Sequence, residues 1–406
     1  MKVSKFKRIL FKSVCFLIVI GLLGCNSPSS RVAVPEATQN DVLIEGMGSS
    51  VRFWGDIEPK NLRSMITTKT QQMLVEDSEA FQKTISYLAL SGGGENGAFG
   101  AGLLSGWSEH GNRPDFNVVT GVSIGALIAP FAFLGSEYDQ QLKIFFTTLA
   151  TEDLIETGLW NTILAFAGAS ALADTTPLAN KIERFITPDL VAKVAVEHLK
   201  GRRLFIGTTN LDAQRPVIWD MGEIARQATP EALSLFRKVM LASAAIPGVM
   251  PPVYFVTHVG DDKYKELHVD GGVSSQVFIY PMGLDLSRYR SELSGHRTLY
   301  IIKNSKLAPE YLASKEDAFS VSTRSISTLI KNQGIGDLYQ MKIIADRDQL
   351  DYRLASVGSE FEHDAKELLD REYMTALFNY GYQLGVAGYH WKLSPEQDKL
   401  NARKEK

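Results

Sequence analysis

The stretch that decides the fold is "YLALSGGGENGAFGAGLLSGW", Tyr87 to Trp107. It begins with an apolar run typical of a buried strand, continues through three glycines, and ends in a run of small and apolar residues with the composition of a helix. Consecutive glycine amides at the start of a helix form a concave group of donors that binds negative charge. The stretch therefore predicts a strand, an anion-binding loop and a helix.

The identity of the anion is not decided by the loop alone. Gly92, Gly94 and Gly97 satisfy the G-x-G-x-x-G pattern of dinucleotide-binding folds. That pattern requires a second strand ending in an acid about 20 residues further on, whereas Asp115 stands in the loop sequence "RPDF". The alternative is an oxyanion that forms during the reaction of a serine hydrolase.

Short apolar runs alternate with helical patterns between residues 85 and 391, and no linker interrupts them. This alternation predicts one α/β domain with a central, largely parallel sheet flanked by helices. A helix is predicted within 364–391. The predicted strands are 85–90, 116–120, 203–211, 216–220, 266–270, 298–304 and 351–357.

Composition excludes several classes of function. The chain has 406 residues, is 45% hydrophobic and carries a formal net charge of −3. These values are normal for a globular protein with a core and give no indication of nucleic-acid binding. No cluster of His, Cys and carboxylates has the spacing of metal ligands. We therefore expect no nucleic acid, metal or cofactor, and the oligomeric state is not predicted.

A candidate nucleophile lies in "VVTGVSIGAL", which contains G-x-S-x-G with Ser123 at its centre. An apolar run precedes it and a helix-forming run follows. This is the context of a nucleophile elbow, in which a sharp strand-to-helix turn between two glycines exposes the serine. The pattern favours Ser123 as a nucleophile over an ordinary glycine-rich turn.

A serine hydroxyl requires a base. Asp270 in "LHVDGGVSS" ends a predicted strand, at the edge where α/β sheets bind ligands. Partial burial there would raise its pKa towards the range of a general base. His268 shares a strand face with Asp270, and His296 follows in the chain order of an α/β-hydrolase triad. Both histidines stay open as alternative bases.

The N-terminus has the features of a secretory signal. Residues 1–12 carry five basic residues and no acid, and the short apolar stretch "SVCFLIVIGLLGC" follows. That stretch is short for a membrane span, which disfavours an uncleaved anchor helix. Residues 26–45 are polar, include two prolines, and are predicted to be a tether.

Four segments together resemble known families. "LLGC", ending at Cys25, resembles the lipoprotein signal of bacteria, in which the cysteine thiol takes a diacylglycerol; Asn26 then favours the outer over the inner membrane. The glycine loop, G-x-S-x-G and D-G-G, in that order, resemble patatin-like phospholipases. The segments 207–225 and 241–253 also look like parts of that family.

The resemblance implies a three-layer patatin-like fold over 85–391 and hydrolysis of lipid esters. It implies Ser123 as nucleophile, Asp270 as proton acceptor, and Gly92, Gly93 and Gly94 as the oxyanion hole. Asn96 departs from the family, which usually has Arg or Lys there, so the loop lacks that charge.

The predicted organisation is a signal at 1–24, a lipidated tether and N-terminal segment at 25–84, the hydrolase domain at 85–391 and a charged tail at 392–406. The predicted function is that of a lipid acyl hydrolase anchored to the membrane through Cys25. Two alternatives remain: a histidine-dependent carboxylesterase or thioesterase, and a lipoprotein that binds lipid or a partner without catalysis.

Overall fold

The structure of the protein, a computed structural model, describes residues 31–59, 85–148, 175–281, 284–289, 295–366 and 369–396. The predicted signal at 1–24 and the predicted lipidation site Cys25 lie outside the described residues. Among the helices that are described, none combines the length and the apolar character needed to cross a membrane.

The strands of the described residues form one mixed sheet. They are β1 Leu43–Ile44, β2 Arg52–Trp54, β3 Ile85–Leu90, β4 Val118–Val122, β5 Arg203–Asn210, β6 Arg215–Asp220, β7 Val253–Val259, β8 Asp262–Asp270, β9 Arg297–Lys306 and β10 Asp351–Val357. The strand order is β1-β7-β8-β5-β4-β3-β9-β10, with β6 paired to β5 and β2 paired to β6. The five strands β10, β9, β3, β4 and β5 are parallel, and the remaining pairings are antiparallel.

Helices cover both faces of this sheet, which confirms the predicted α/β fold with a central sheet flanked by helices. The helices are α1 Gly97–His110, α2 Ile124–Leu134, α3 Asp139–Thr147, α4 Thr176–Phe185, α5 Pro188–Leu199, α6 Met221–Ala225, α7 Pro230–Ser243, α8 Ala318–Asp348 and α9 Arg371–Val386. Alternate residues of β3 enter two separate cores. Leu88 and Leu90 pack among α1, α2 and α9, whereas Tyr87 and Ala89 pack under α8.

The small residues of the opening stretch allow α1 to lie directly against α9. A Cβ on Gly102 would stand 2.0 Å from the carbonyl oxygen of Phe378, and a Cβ on Gly106 would stand 2.1 Å from that of Tyr382. Such distances leave no room for a side chain. Close packing of the two helices therefore depends on glycine at both positions.

The predicted strands are all present, but the sheet is larger than the sequence indicated. β7, which begins directly after Pro251 and Pro252, was not predicted. β1 and β2 are two and three residues long, too short to show a periodicity. The antiparallel strands therefore add to the parallel sheet that the alternation predicts.

Residues 31–59, which include part of the predicted tether, pack against the domain. β1 pairs with β7 and β2 pairs with β6. The guanidinium of Arg52 binds both carboxylate oxygens of the buried Glu266, and that of Arg31 binds Asp212. The packed structure thus begins before residue 85, the predicted start of the domain.

Candidate active site

Ser123 occupies the sharp turn between β4 and α2. Its φ of 55° and ψ of −126° are unusual for a residue with a side chain, and such backbone strain typically costs about 1–3 kcal/mol. A Cβ on Gly121 would stand 2.5 Å from the carbonyl oxygen of Gly125, and a Cβ on Gly125 would stand 2.4 Å from that of Leu90. The glycines are thus required by close backbone approach, as the elbow pattern predicts.

Strand β5 brings Ser123 and Asp270 together. Val122, at the end of β4, pairs with Gly207 of β5, and Asp270, at the end of β8, pairs with the next residue, Thr208. Because β4 is parallel to β5 and β8 is antiparallel, the two strands end head to head along one edge of β5. The hydroxyl of Ser123 donates to Oδ2 of Asp270 at 2.6 Å.

The environment of Asp270 suits a general base. Burial raises its pKa from the usual 3.8 to about 6, against the lowering effect of two hydrogen bonds to the carboxylate. One comes from the Ser123 hydroxyl, and the other from the Gly272 amide to Oδ1 at 2.7 Å. A base with a pKa slightly below neutrality is mostly ionised at pH 7 and still accepts a proton readily.

The glycine loop lies directly against the nucleophile, since a Cβ on Gly92 would stand 3.2 Å from the Cβ of Ser123. The three amides of the loop are not equivalent. The Gly92 N–H donates to the carbonyl oxygen of Gln276 at 3.0 Å, so this amide already has an acceptor. In the part of the chain that the structure describes, the amides of Gly93 and Gly94 have no acceptor.

Asn304, at the carboxyl end of β9, anchors the glycine loop and was not identified from the sequence. Its backbone N–H donates to the Ser91 hydroxyl at 2.8 Å, and its side-chain amide donates to the Ser91 carbonyl at 2.9 Å. Its side-chain oxygen accepts from the Gly100 amide in α1 at 3.1 Å. The available signal was a polar residue at the end of the apolar run "TLYIIKN".

Ser243, at the end of α7, holds the elbow and was also missed. Its buried hydroxyl accepts from the Ser123 N–H at 3.0 Å and donates to the Gly207 carbonyl at 2.7 Å. The hydroxyl thus ties the nucleophile turn to β5. Ser243 lies within 241–253, a segment that resembles part of the patatin-like phospholipase family, but the sequence alone assigned this residue no role.

The position of Asn96 shows what replaces the missing basic residue. The hydroxyl of Tyr373, in α9, donates to the side-chain oxygen of Asn96. The neighbouring Glu95 accepts from the Leu369 amide at 2.8 Å, and burial raises the pKa of its carboxyl. The tip of the glycine loop is therefore held by α9 and the segment before it, without a positive charge.

The two candidate histidines do not contact Ser123. His268 is fully buried, with Nδ1 2.9 Å from the Thr208 hydroxyl and Nε2 3.2 Å from Glu266. His296 is exposed beside Asp351, next to the first residue of β9 and thus at the opposite edge of the sheet. Over the described ranges, no group of three or more His, Cys, Asp or Glu side chains is placed to hold a metal ion.

Fold and site together define an α/β protein with a Ser–Asp pair at the carboxyl edge of its parallel strands. Residues 88–282 match the patatin-like phospholipase family. This part of the chain, from β3 to beyond D-G-G, is therefore a patatin-like phospholipase domain.

Two individual proteins are also similar to this chain. An uncharacterized protein of Acanthamoeba polyphaga mimivirus is 29% identical over 204 residues, which are 50% of this chain and 62% of that protein. The chain thus spans less than two thirds of that relative. VipD from Legionella pneumophila is similar in structure, with 12% identity, a TM-score of 0.36, and coverage of 75% of this chain and 67% of VipD.

Proposed function

We propose that the protein hydrolyses carboxylic esters of lipids, with Ser123 as nucleophile and Asp270 as the base. The observation that carries the proposal is the 2.6 Å hydrogen bond from the Ser123 hydroxyl to the Asp270 carboxylate. The family match over 88–282 supports lipid as the class of substrate. The activity that we propose is of the phospholipase A or lysophospholipase type.

The reaction proceeds in two halves. Ser123 Oγ attacks the ester carbonyl carbon while its proton passes to Asp270, and the oxyanion is bound by the amides of Gly93 and Gly94. The intermediate collapses, Asp270 protonates the leaving alcohol, and an acyl-serine remains. Asp270 then takes a proton from water, which attacks the acyl carbon, and the fatty acid is released as Ser123 recovers its proton.

The contacts of the histidines favour Asp270 over the alternative of a histidine-dependent esterase. The ring nitrogens of His268 face Thr208 and Glu266, and His296 lies at the other edge of the sheet. A fluorophosphonate probe distinguishes the hydrolase from a non-catalytic lipoprotein, because the probe labels only an activated serine.

The test combines that probe with turnover of p-nitrophenyl esters and a panel of lipids. Ser123→Ala is expected to lose labelling and about 10⁶ in kcat, the usual scale for loss of a nucleophile. Ser105→Ala is the matched control, because among the described residues the Ser105 hydroxyl donates only to the Ala101 carbonyl within α1. Retained turnover in pure Ser123→Ala protein would contradict the mechanism.

We also propose that the protein is a lipoprotein of the bacterial envelope, anchored through a lipid on Cys25 and placed in the outer rather than the inner membrane. The support is the basic and apolar sequence that ends in "LLGC" and the Asn26 that follows. Residues 1–24 carry five basic and no acidic residues, so their removal makes the negative net charge of the chain larger. Attachment would then depend on the lipid and on apolar contacts, and not on attraction to anionic lipid.

A further inference from the structure

Helix α8 extends beyond the sheet on the side of the candidate active site. Its last residue, Asp348, accepts from Arg297 at the start of β9, whereas a Cβ on Gly334 would stand 2.8 Å from Nζ of Lys303 near the end of β9. Gly334 and Asp348 are 14 residues apart in the helix, or about 21 Å along its axis. Arg297 and Lys303 are six residues apart in the strand, or about 20 Å, so α8 runs antiparallel to β9.

Gly334 also lies at the level of the catalytic loops. A Cβ there would stand 3.4 Å from the Cβ of Gln276, whose carbonyl accepts from the Gly92 amide. The 16 residues that precede it in α8, 318–333, have a length of about 24 Å. This part of the helix therefore projects past the edge at which Ser123 and the glycine loop lie.

The loop 307–317 returns along this projecting helix, and we call residues 307–333 the docking hairpin. Glu310 joins its two halves, because its carboxylate binds Lys331 Nζ at 2.7 Å and its carbonyl accepts from Arg324. The hairpin contains three acidic and three basic residues, so it has no net charge.

The docking hairpin exposes large apolar side chains. Tyr311 is 96% exposed and Leu329 is 70% exposed. Large exposed apolar side chains concentrated in one segment indicate an interaction surface. The exposed apolar residues of the hairpin are Tyr311, Leu312, Val321, Ile326, Leu329 and Ile330.

We propose that the docking hairpin inserts into the surface of a zwitterionic lipid layer and so brings that layer to the active-site edge. The proposal rests on the proposed lipid hydrolysis for its purpose. Val321 and Ile330 are nine residues apart, so at about 100° per residue they lie on opposite sides of α8. A lipid phase surrounds a helix, whereas a folded partner covers one side of it. The balanced charge favours zwitterionic over anionic lipid.

Binding is tested with phosphatidylcholine vesicles and full-length protein that carries Cys25→Ser and Ser123→Ala, which removes the proposed anchor and hydrolysis. Adding Ile326→Ser and Leu329→Ser is expected to weaken co-flotation at least about tenfold, since burial of each such side chain contributes more than the 1.4 kcal/mol that tenfold represents. Ile343→Ser is the matched control: it lies in the same helix, is 68% exposed, and is outside the hairpin. Binding is expected to be the same at low and high salt.

Activity provides a second readout in protein with Ser123 intact. The ratio of vesicle-lipid turnover to soluble-ester turnover is expected to fall about tenfold in the Ile326→Ser/Leu329→Ser variant and to stay constant in Ile343→Ser. Soluble-ester turnover without vesicle binding would overturn the docking proposal and leave the hydrolase proposal standing. Vesicle binding without any turnover would overturn the hydrolase proposal and leave the docking proposal standing.

Three other results would also overturn the docking proposal. Equal weakening by the hairpin and control substitutions would show that the hairpin is not specific. Loss of binding at high salt would show attraction by charge. Self-association of the parent protein that the hairpin substitutions abolish, with no binding to vesicles, would assign the surface to a second copy of the chain.

Discussion

Replacing Gly93 with alanine tests the oxyanion loop through its backbone alone. A Cβ on Gly93 would stand 2.0 Å from the carbonyl oxygen of Asn304. Cβ atoms essentially never lie within 3.0 Å of another heavy atom, so the loop and β9 must separate by about 1 Å or more. The bond from the Asn304 side chain to the Ser91 carbonyl is 2.9 Å long, and such a separation would break it.

The displaced loop carries the two free amides of the site. Loss of one oxyanion donor typically lowers kcat by about 10² to 10³, or roughly 2.7–4 kcal/mol. Because the oxyanion is absent from the bound substrate and forms as the transition state is reached, we expect kcat to fall by this amount and KM to change little. The assay is steady-state hydrolysis of a soluble p-nitrophenyl ester by protein whose thermal unfolding shows that it is folded.

Gly94→Ala is the comparison, because a Cβ at that position would meet no atom within 4 Å. Its φ of 56° is left-handed, which costs alanine about 1–2 kcal/mol of stability, so we expect a much smaller loss of kcat than for Gly93→Ala. Unchanged kcat in folded Gly93→Ala would refute the reasoning. So would micromolar binding of NAD, NADP or ATP by the wild type, measured by calorimetry and weakened in Gly93→Ala.

Four further predictions concern the base and the anchor. Asp270→Asn is expected to lose nearly as much kcat as Ser123→Ala, since an amide does not accept the proton. If Asp270→Asn stays active and His296→Ala is inactive, the mechanism uses a triad with His296 and not the Ser–Asp dyad. Because burial raises the pKa of Asp270 in the free protein to about 6, kcat/KM is expected to rise with pH through about 6 in a stopped ester assay. The folded state then binds this proton more tightly than the unfolded state. The contribution of Asp270 to the free energy of unfolding therefore falls by roughly 3 kcal/mol as the pH rises from about 4 to 6. Urea unfolding of wild type and Asp270→Asn at both ends of that range is expected to show the variant gaining relative stability at the higher pH; a constant difference would contradict the raised pKa. Cys25→Ser is expected to release the protein from membranes and retain turnover of soluble esters, as judged by fractionation and mass spectrometry, and an unmodified Cys25 or a retained 1–24 segment in the wild type would contradict lipidation.

The sequence by itself determined the features that depend on neighbouring residues. β3 and β10 have the bounds that their apolar runs predict, and the turn at Ser123 follows from the glycines at 121 and 125. Each of these features is a local choice of backbone conformation, made by residue size and by the alternation of apolar side chains. For this reason the pattern of glycine loop, elbow and D-G-G is enough to mark the candidate site along the chain.

Only the tertiary structure decided how those parts meet. Ser123 and Asp270 are 147 residues apart, and they touch because Gly207 and Thr208, adjacent in β5, pair with the ends of two strands of opposite direction. The same holds for Asn304, which reaches the glycine loop because β9 lies beside β3. The tertiary structure also brings the Gly92 amide to its acceptor, the carbonyl oxygen of Gln276. Strand register and long-range hydrogen bonds are properties of the assembled sheet, and no local pattern of residues encodes them.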